Sequence, residues 1–144
     1  MTFGKFLFVG TLVAASALYA AEATDPTVKA RQELMDMIAM NTKVLGDMAG
    51  GKAPHDAAAA EAAKAALVTA SATIGARFET EASDPKSMAK PDIWTNWEDF
   101  LKKAGVLNAA ATAMDVASAE TIGAGMGALG GACADCHKTY QIPR

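Results

Sequence analysis

Two cysteines and a histidine stand together near the C-terminus in the run Cys133-Ala134-Asp135-Cys136-His137, and the chain has no other cysteine. Three chemistries use such residues. A Cys-x-x-Cys dithiol of the thioredoxin kind needs a preceding strand and a thiol of lowered pKa at a helix N-terminus, and no strand pattern precedes this run. A structural zinc site needs four ligands. The chain offers two cysteines and two histidines, with His55 far away between Pro54 and Asp56 in an interhelical loop, so zinc fails on counting. The third chemistry is covalent attachment of a c-type haem. On a helix the three side chains of C-x-x-C-H lie on neighbouring turns of one face. Two thiols then add across the two vinyl groups at one porphyrin edge, and the imidazole reaches the iron as proximal ligand. This reading makes Cys133 and Cys136 the thioether positions of a single haem c and His137 an axial iron ligand.

That geometry needs helices, and the rest of the chain supplies them. The composition is 51% hydrophobic and 20% charged, with alanine tracts and few β-branched or aromatic clusters, a balance that favours helix over sheet. Asp25-Pro26 reads as an N-cap followed by proline at the first helical position. The first helix then runs to about Met48, with Leu34, Ile38, Asn41, Leu45 and Met48 along one stripe. Gly50-Gly51-Lys52-Ala53-Pro54 ends it. A second helix is expected from Asp56 to about Phe78, and Glu79 to Lys90 reads as a loop. A third is expected from Pro91-Asp92 to about Ala119, with Ile93, Trp97, Phe100, Leu101, Ala104, Leu107, Ala111 and Met114 on one face. Trp94, Trp97 and Phe100 read as core rather than as an electron path. After a short turn at Ser118 or Glu120, a fourth helix carries Ile122, Met126, Leu129, Cys133, Cys136, His137 and Tyr140 at helical spacing, and Pro143 stops it. Four amphipathic helices with short connections predict an all-α, antiparallel four-helix bundle with the haem held at the C-terminal helix.

Residues 1–23 differ in character from the rest of the chain. Lys5 precedes an uncharged apolar stretch from Phe6 to Ala20, shorter than the roughly 20 residues a membrane span requires, and this reads as a secretory signal peptide cleaved after Ala20 or Ala23. The mature chain, about 24–144, is then a single exported domain in a periplasmic setting. A net charge of -3 without a basic block gives no footprint for nucleic acid or an anionic membrane surface, and nothing calls for stable membrane insertion. Gly123, Gly125, Gly127, Gly130 and Gly131 lack the preceding strand of a nucleotide-binding loop; close approach of helix and haem is expected there instead. His55 reads as a surface turn residue.

With these residues in place, the chain resembles the class II c-type cytochromes, the family that includes cytochrome c prime. Besides the haem run, the resemblance rests on Arg31-Gln32-Glu33-Leu34-Met35, the turn Gly51-Lys52-Ala53-Pro54 with Asp56-Ala57-Ala58, Lys90-Pro91-Asp92-Ile93-Trp94, and Gly130. The resemblance implies a distal axial position on the first helix, which Met35 occupies. It divides family members into low-spin electron carriers, ligated by that methionine, and high-spin proteins with an open iron. Asn41 and Val44-Leu45-Gly46 resemble the low-spin branch, whereas Arg31-Gln32 resembles the high-spin branch. Where the family pattern places an arginine four residues after the haem histidine, this chain has Gln141, with Arg144 beyond it. Arg31 is a candidate partner for a haem propionate.

These residues support two functional expectations. The favoured one is a non-enzymatic electron carrier, cycling between ferric and ferrous iron and docking with redox partner proteins. The alternative is a five-coordinate haem protein that binds nitric oxide or carbon monoxide. A peroxidase-like enzyme ranks third, because the first helix offers Leu34, Met35 and Ile38 where an acid–base residue is needed. The sequence leaves open whether bundles pair as homodimers.

Overall fold

A computed structural model describes residues 23–143 and gives six helices among them: α1 (Pro26–Ala49), α2 (Ala57–Ala72), α3 (Ile74–Phe78), α4 (Asp92–Thr95), α5 (Trp97–Ala113) and α6 (Ala119–Tyr140). The signal-peptide reading lies, apart from Ala23, outside the described residues, as does Arg144. The long helices α1, α2, α5 and α6 form an all-α, antiparallel four-helix bundle in which α1 packs on α2 and α6, and α5 packs on α2 and α6. Among the described residues no helix is long and apolar enough to cross a membrane.

Local chemistry explains the helix starts. The Asp25 carboxylate accepts the Thr27 and Val28 N–H groups with Pro26 at the first helical position, and Asp56 accepts from Ala59. Ser118 and Thr121 form a reciprocal capping box at the start of α6. Leu34, Ile38, Leu45 and Met48 are buried along α1 and meet Ile122 and Leu129 of α6 and Leu67 of α2 in one core. Gly51 turns the chain after α1 with φ of 69°, a conformation glycine adopts without strain.

The structure differs from the expected second and third helices at their breaks. The Ser71 hydroxyl donates to the Leu67 carbonyl at 2.6 Å and that of Thr73 to Ala70 at 2.8 Å. Such bonds compete with the helical ladder, and the chain breaks at Thr73 into α2 and α3. Asn96, at φ -122° and ψ 43°, separates α4 from α5. Helix α5 stops at Ala113 rather than near Ala119 because Met114 turns extended and buries its side chain against Gly125. Leu101, expected in the core, is 40% exposed and lies over Gly75 instead.

The segment 79–91 is a loop, as expected, and it is tied down at both ends. The Asp84 carboxylate accepts the Thr24 N–H and hydroxyl, the Asp25 N–H and the Lys86 N–H. Farther along, Ala89 pairs with Gln141 in an isolated bridge, where Lys90 N–H donates to Tyr140 O and Ile142 N–H to Met88 O. His55 is half-buried and its Nε2 donates to the Val116 carbonyl at 2.9 Å, joining the two loops at the other end of the bundle. It is a clasp, not a surface histidine.

Hydrogen bonds from Lys86 and Asp25 hold the Asp84 carboxyl at about 2, against an ordinary 3.8. On acidification the unfolded chain takes up this proton first, so the carboxylate stabilises the fold above pH 3.8 and that contribution disappears as pH falls to about 2. Melting temperature measured across this window should therefore fall more steeply in the wild type than in Asp84→Asn. Parallel curves would remove Asp84 from the acid response.

Candidate haem site

Because α1 and α6 run antiparallel side by side, the start of one and the end of the other share one end of the bundle. Between them lies a cavity of about 820 Å³, lined by Met35 from α1 and by Cys133, Cys136 and His137 from α6. All four residues singled out in the sequence as thioether or iron-ligand candidates therefore face one space, along with Arg31 and Gln141. The volume is that of a cofactor site. Phe78, Ile93, Phe100 and Leu107 close it with apolar surface, and Ser87, Met88 and Ala89 of the 79–91 loop cover one side.

Both cysteines are half-buried, and they form no disulfide with each other. Burial pushes each thiol upward, and for Cys136 the Lys103 charge opposes that shift. A redox dithiol requires the opposite direction, so thioredoxin-like chemistry has no support in this environment. Zinc fares no better, since no group of three or more His, Cys, Asp or Glu side chains is placed to hold a metal ion among the described residues.

The donor set suits a haem. Two thiols one helical turn apart stand on one wall, an imidazole comes next on the same helix, and a thioether faces them from α1. Charge agrees as well: Arg31, Lys43 and Lys103 line the cavity against the single carboxylate of Asp36, in a chain of net charge -3. A locally cationic wall fits a macrocycle that carries two propionates. None of the α6 glycines lines the cavity; Gly125 instead admits Met114, and Gly123 faces Ala49.

Arg31 has partners the sequence did not reveal. It is 3% exposed, and its guanidinium donates to the carbonyls of Arg77, Thr80 and Ala82 while lying over the rings of Phe78 and Trp94. Burial pushes the guanidinium down, with the Asp25 charge partly opposing, and the planar fork remains charged because its reference pKa is so high. Trp94 fixes the same turn by donating its indole N–H to Phe78 O at 2.8 Å. Trp97, Phe100, Phe78 and Tyr140 form a continuous aromatic cluster around Phe100, consistent with the core reading of Phe100 and its neighbours.

A second polar feature lies on α5. Asp99 accepts the Tyr140 hydroxyl at 2.7 Å, and Lys103 pairs with Asp135 inside the cysteine–histidine run. Burial, then the Asp99 hydrogen bond, push the Tyr140 phenol up to about 12. It remains a neutral donor at any physiological pH.

A helical bundle whose C-terminal helix presents two thiols and a histidine to a cofactor-sized cavity defines a bundle-type c-type haem protein. The family model described as Cytochrome C' matches residues 26–141, and the chain belongs to that family, with a covalently attached haem c as its cofactor. It is 34% identical over 134 residues to cytochrome c-556 of Agrobacterium fabrum (strain C58 / ATCC 33970), covering 90% of this chain and 88% of that one. Among solved structures it resembles cytochrome c' from Rhodobacter Spheriodes, with a TM-score of 0.73 and 30% identity over 82% of this chain and 96% of that one. It also resembles the nitric oxide complex of a variant cytochrome c prime from Alcaligenes xylosoxidans, with a TM-score of 0.71 and 28% identity over 81% and 94% of the two chains.

Replacing Arg31 by methionine keeps the aliphatic stem but leaves three carbonyls without their donor, and should cost about 2–4 kcal/mol. Urea unfolding of the haem-loaded protein measures it. Arg31→Lys should recover only part of the loss, because an ammonium lacks the fork that spans these carbonyls.

Proposed function

We propose that this chain is an exported, single-haem electron carrier, with Cys133 and Cys136 as thioether attachment points, His137 as proximal ligand and Met35 as the distal ligand. The observation that carries this reading is the placement of Met35 and His137 on antiparallel helices lining one cavity. When bound there, the haem supplies one-electron chemistry, and a thioether opposite an imidazole raises its potential and leaves no open coordination position. Helix α6, which carries the imidazole, is tied to α5 by the links at Asp135 and Tyr140. Helix α1 brings Met35 from the other side, half-buried and flanked by buried Leu34 and Ile38. Ile38 and Ala39 present apolar surface beside this position, and that surface suits an electron carrier without turnover of its own better than an enzyme. Export to the periplasm is supported by Lys5 and the apolar stretch from Phe6 to Ala20. Redox proteins are the partners in this reading.

One observation favours a second reading. A structural relative holds nitric oxide, and the cavity beside Met35 includes apolar Ile38 and Ala39, surroundings that would suit a diatomic gas such as nitric oxide or carbon monoxide if Met35 did not ligate the iron. Optical and paramagnetic-resonance spectra of the ferric protein at neutral pH separate the two. The carrier reading expects a low-spin wild type that turns high-spin in Met35→Ala. A high-spin wild type that the substitution leaves unchanged would replace it with the gas-binding reading.

Attachment has its own test. In wild type the haem should stay with the polypeptide under denaturing acid extraction, and in the Cys133→Ala/Cys136→Ala double variant it should be released. Haem retained by the double variant would overturn thioether attachment at these cysteines.

A further inference from the structure

Helices α5 and α6 are joined by two polar links that bracket the haem-binding histidine. Asp99 takes the Tyr140 hydroxyl on one side, and one turn along α5 the Lys103 ammonium takes Asp135 on the other. Lys103 is also part of the cavity wall, together with Cys136 and His137. The partners of this ion pair stand in different surroundings: the Lys103 side chain is 20% exposed and that of Asp135 63%. Solvent and salt screen an exposed charge far more than a partly buried one. The carboxylate therefore orients the ammonium without cancelling its field on the cavity side. Asp99 is the other charged group facing Lys103, and it too is exposed, with its carboxylate engaged by Tyr140.

We propose that Lys103, held against the cavity wall by Asp135, sets the reduction potential of the attached haem by favouring the ferrous over the ferric iron. The physical basis is one unit of charge. Ferric haem carries one more positive charge than ferrous haem, so a fixed neighbouring cation destabilises the oxidised form and raises the potential, and does so most where water is excluded. The inference rests on haem attachment at Cys133 and Cys136. It does not depend on whether Met35 completes the iron, because the charge acts through space in either coordination state.

The test is the midpoint potential of the haem-loaded protein, from optical redox titration at low ionic strength, for the wild type, Lys103→Gln, Lys103→Arg and Asp135→Asn. Lys103→Gln should shift the potential downward, Asp135→Asn should shift it upward by a smaller amount, and Lys103→Arg should stay near the wild type. Added salt should shrink the Asp135→Asn shift more than the Lys103→Gln shift. Unchanged potentials, or shifts of the same sign in Lys103→Gln and Asp135→Asn, would overturn the proposal and leave the pair as a clasp between helices, visible only in melting temperature. Should Lys103→Gln fail to fold, Asp135→Asn still decides, since the absence of an upward shift overturns the proposal by itself. Failure of the attachment reading shows separately, as haem extractable by acid from a wild type with Lys103 intact.

Discussion

The antiparallel contact of α1 with α6 is the constraint on which the remaining structure depends. It is made by large side chains packed to exclusion of solvent: Leu45 and Ile122 and Leu129 are fully buried, each contributing on the order of 1.5–3 kcal/mol through burial. The same contact sets the relative register of two helices that carry the candidate ligands. A slip of one residue on either helix rotates its side chains by roughly 100°, which would carry Met35 or His137 out of the cavity. Packing in the middle of the bundle and coordination at its end are therefore one problem, solved by one interface.

That interface alone does not enclose the site. The open end between α3 and α4 is covered by the 79–91 loop, which has no helix or strand of its own and borrows its order from polar groups on its neighbours. Arg31 gathers the carbonyls of Arg77, Thr80 and Ala82, Gln32 donates to Lys86 O, Asp84 collects the N–H groups at the start of α1, and the Ala89–Gln141 bridge fastens the far side to α6. The Gln32 bond is exposed and the Arg31 and Asp84 bonds are partly buried, and it is loss of a buried partner that incurs the larger desolvation penalty. A buried arginine is costly by itself. Here its cost is offset by carbonyls that need a donor and by two aromatic faces that accept a cation.

How much of the molecule was legible in the sequence tracks the range of the interactions involved. The starts of α1 and α2 were readable because Asp25-Pro26 and Asp56 act on N–H groups two or three residues away, whereas Ser118, read only as one of two turn positions, proves to cap α6. The α1 stripe and the joint placement of Cys133, Cys136 and His137 were readable because helical periodicity is a local rule. Met35 entered through resemblance, not periodicity, and the structure brings it to the same cavity. The breaks at Thr73 and Asn96 escaped because a continuous apolar period runs across both, and the bonds that interrupt it carry only a small local preference. Arg31 escaped for a different reason: its partners are carbonyls 46 to 51 residues away, and a carbonyl has no residue-type signature. Lys103 and Asp135, 32 residues apart, look like two ordinary surface charges until α5 and α6 are laid side by side.

The charge around the cavity bears on the proposed electron-transfer role. Among its lining residues Arg31, Lys43 and Lys103 are cationic, and they differ in how far water screens them: Arg31 is buried, Lys103 partly so, and Lys43 is 72% exposed and paired with Asp47. Gln141, four residues past His137, is neutral and spends its backbone on the bridge to Ala89. Among the described residues, the cationic side chains lining this wall come from α1 and α5. A field supplied by helices that do not carry the attachment residues can vary without disturbing covalent anchoring. In the proposed reading, covalent attachment rests on Cys133 and Cys136 of α6, whereas the balance between ferric and ferrous iron would be open to adjustment from two other helices.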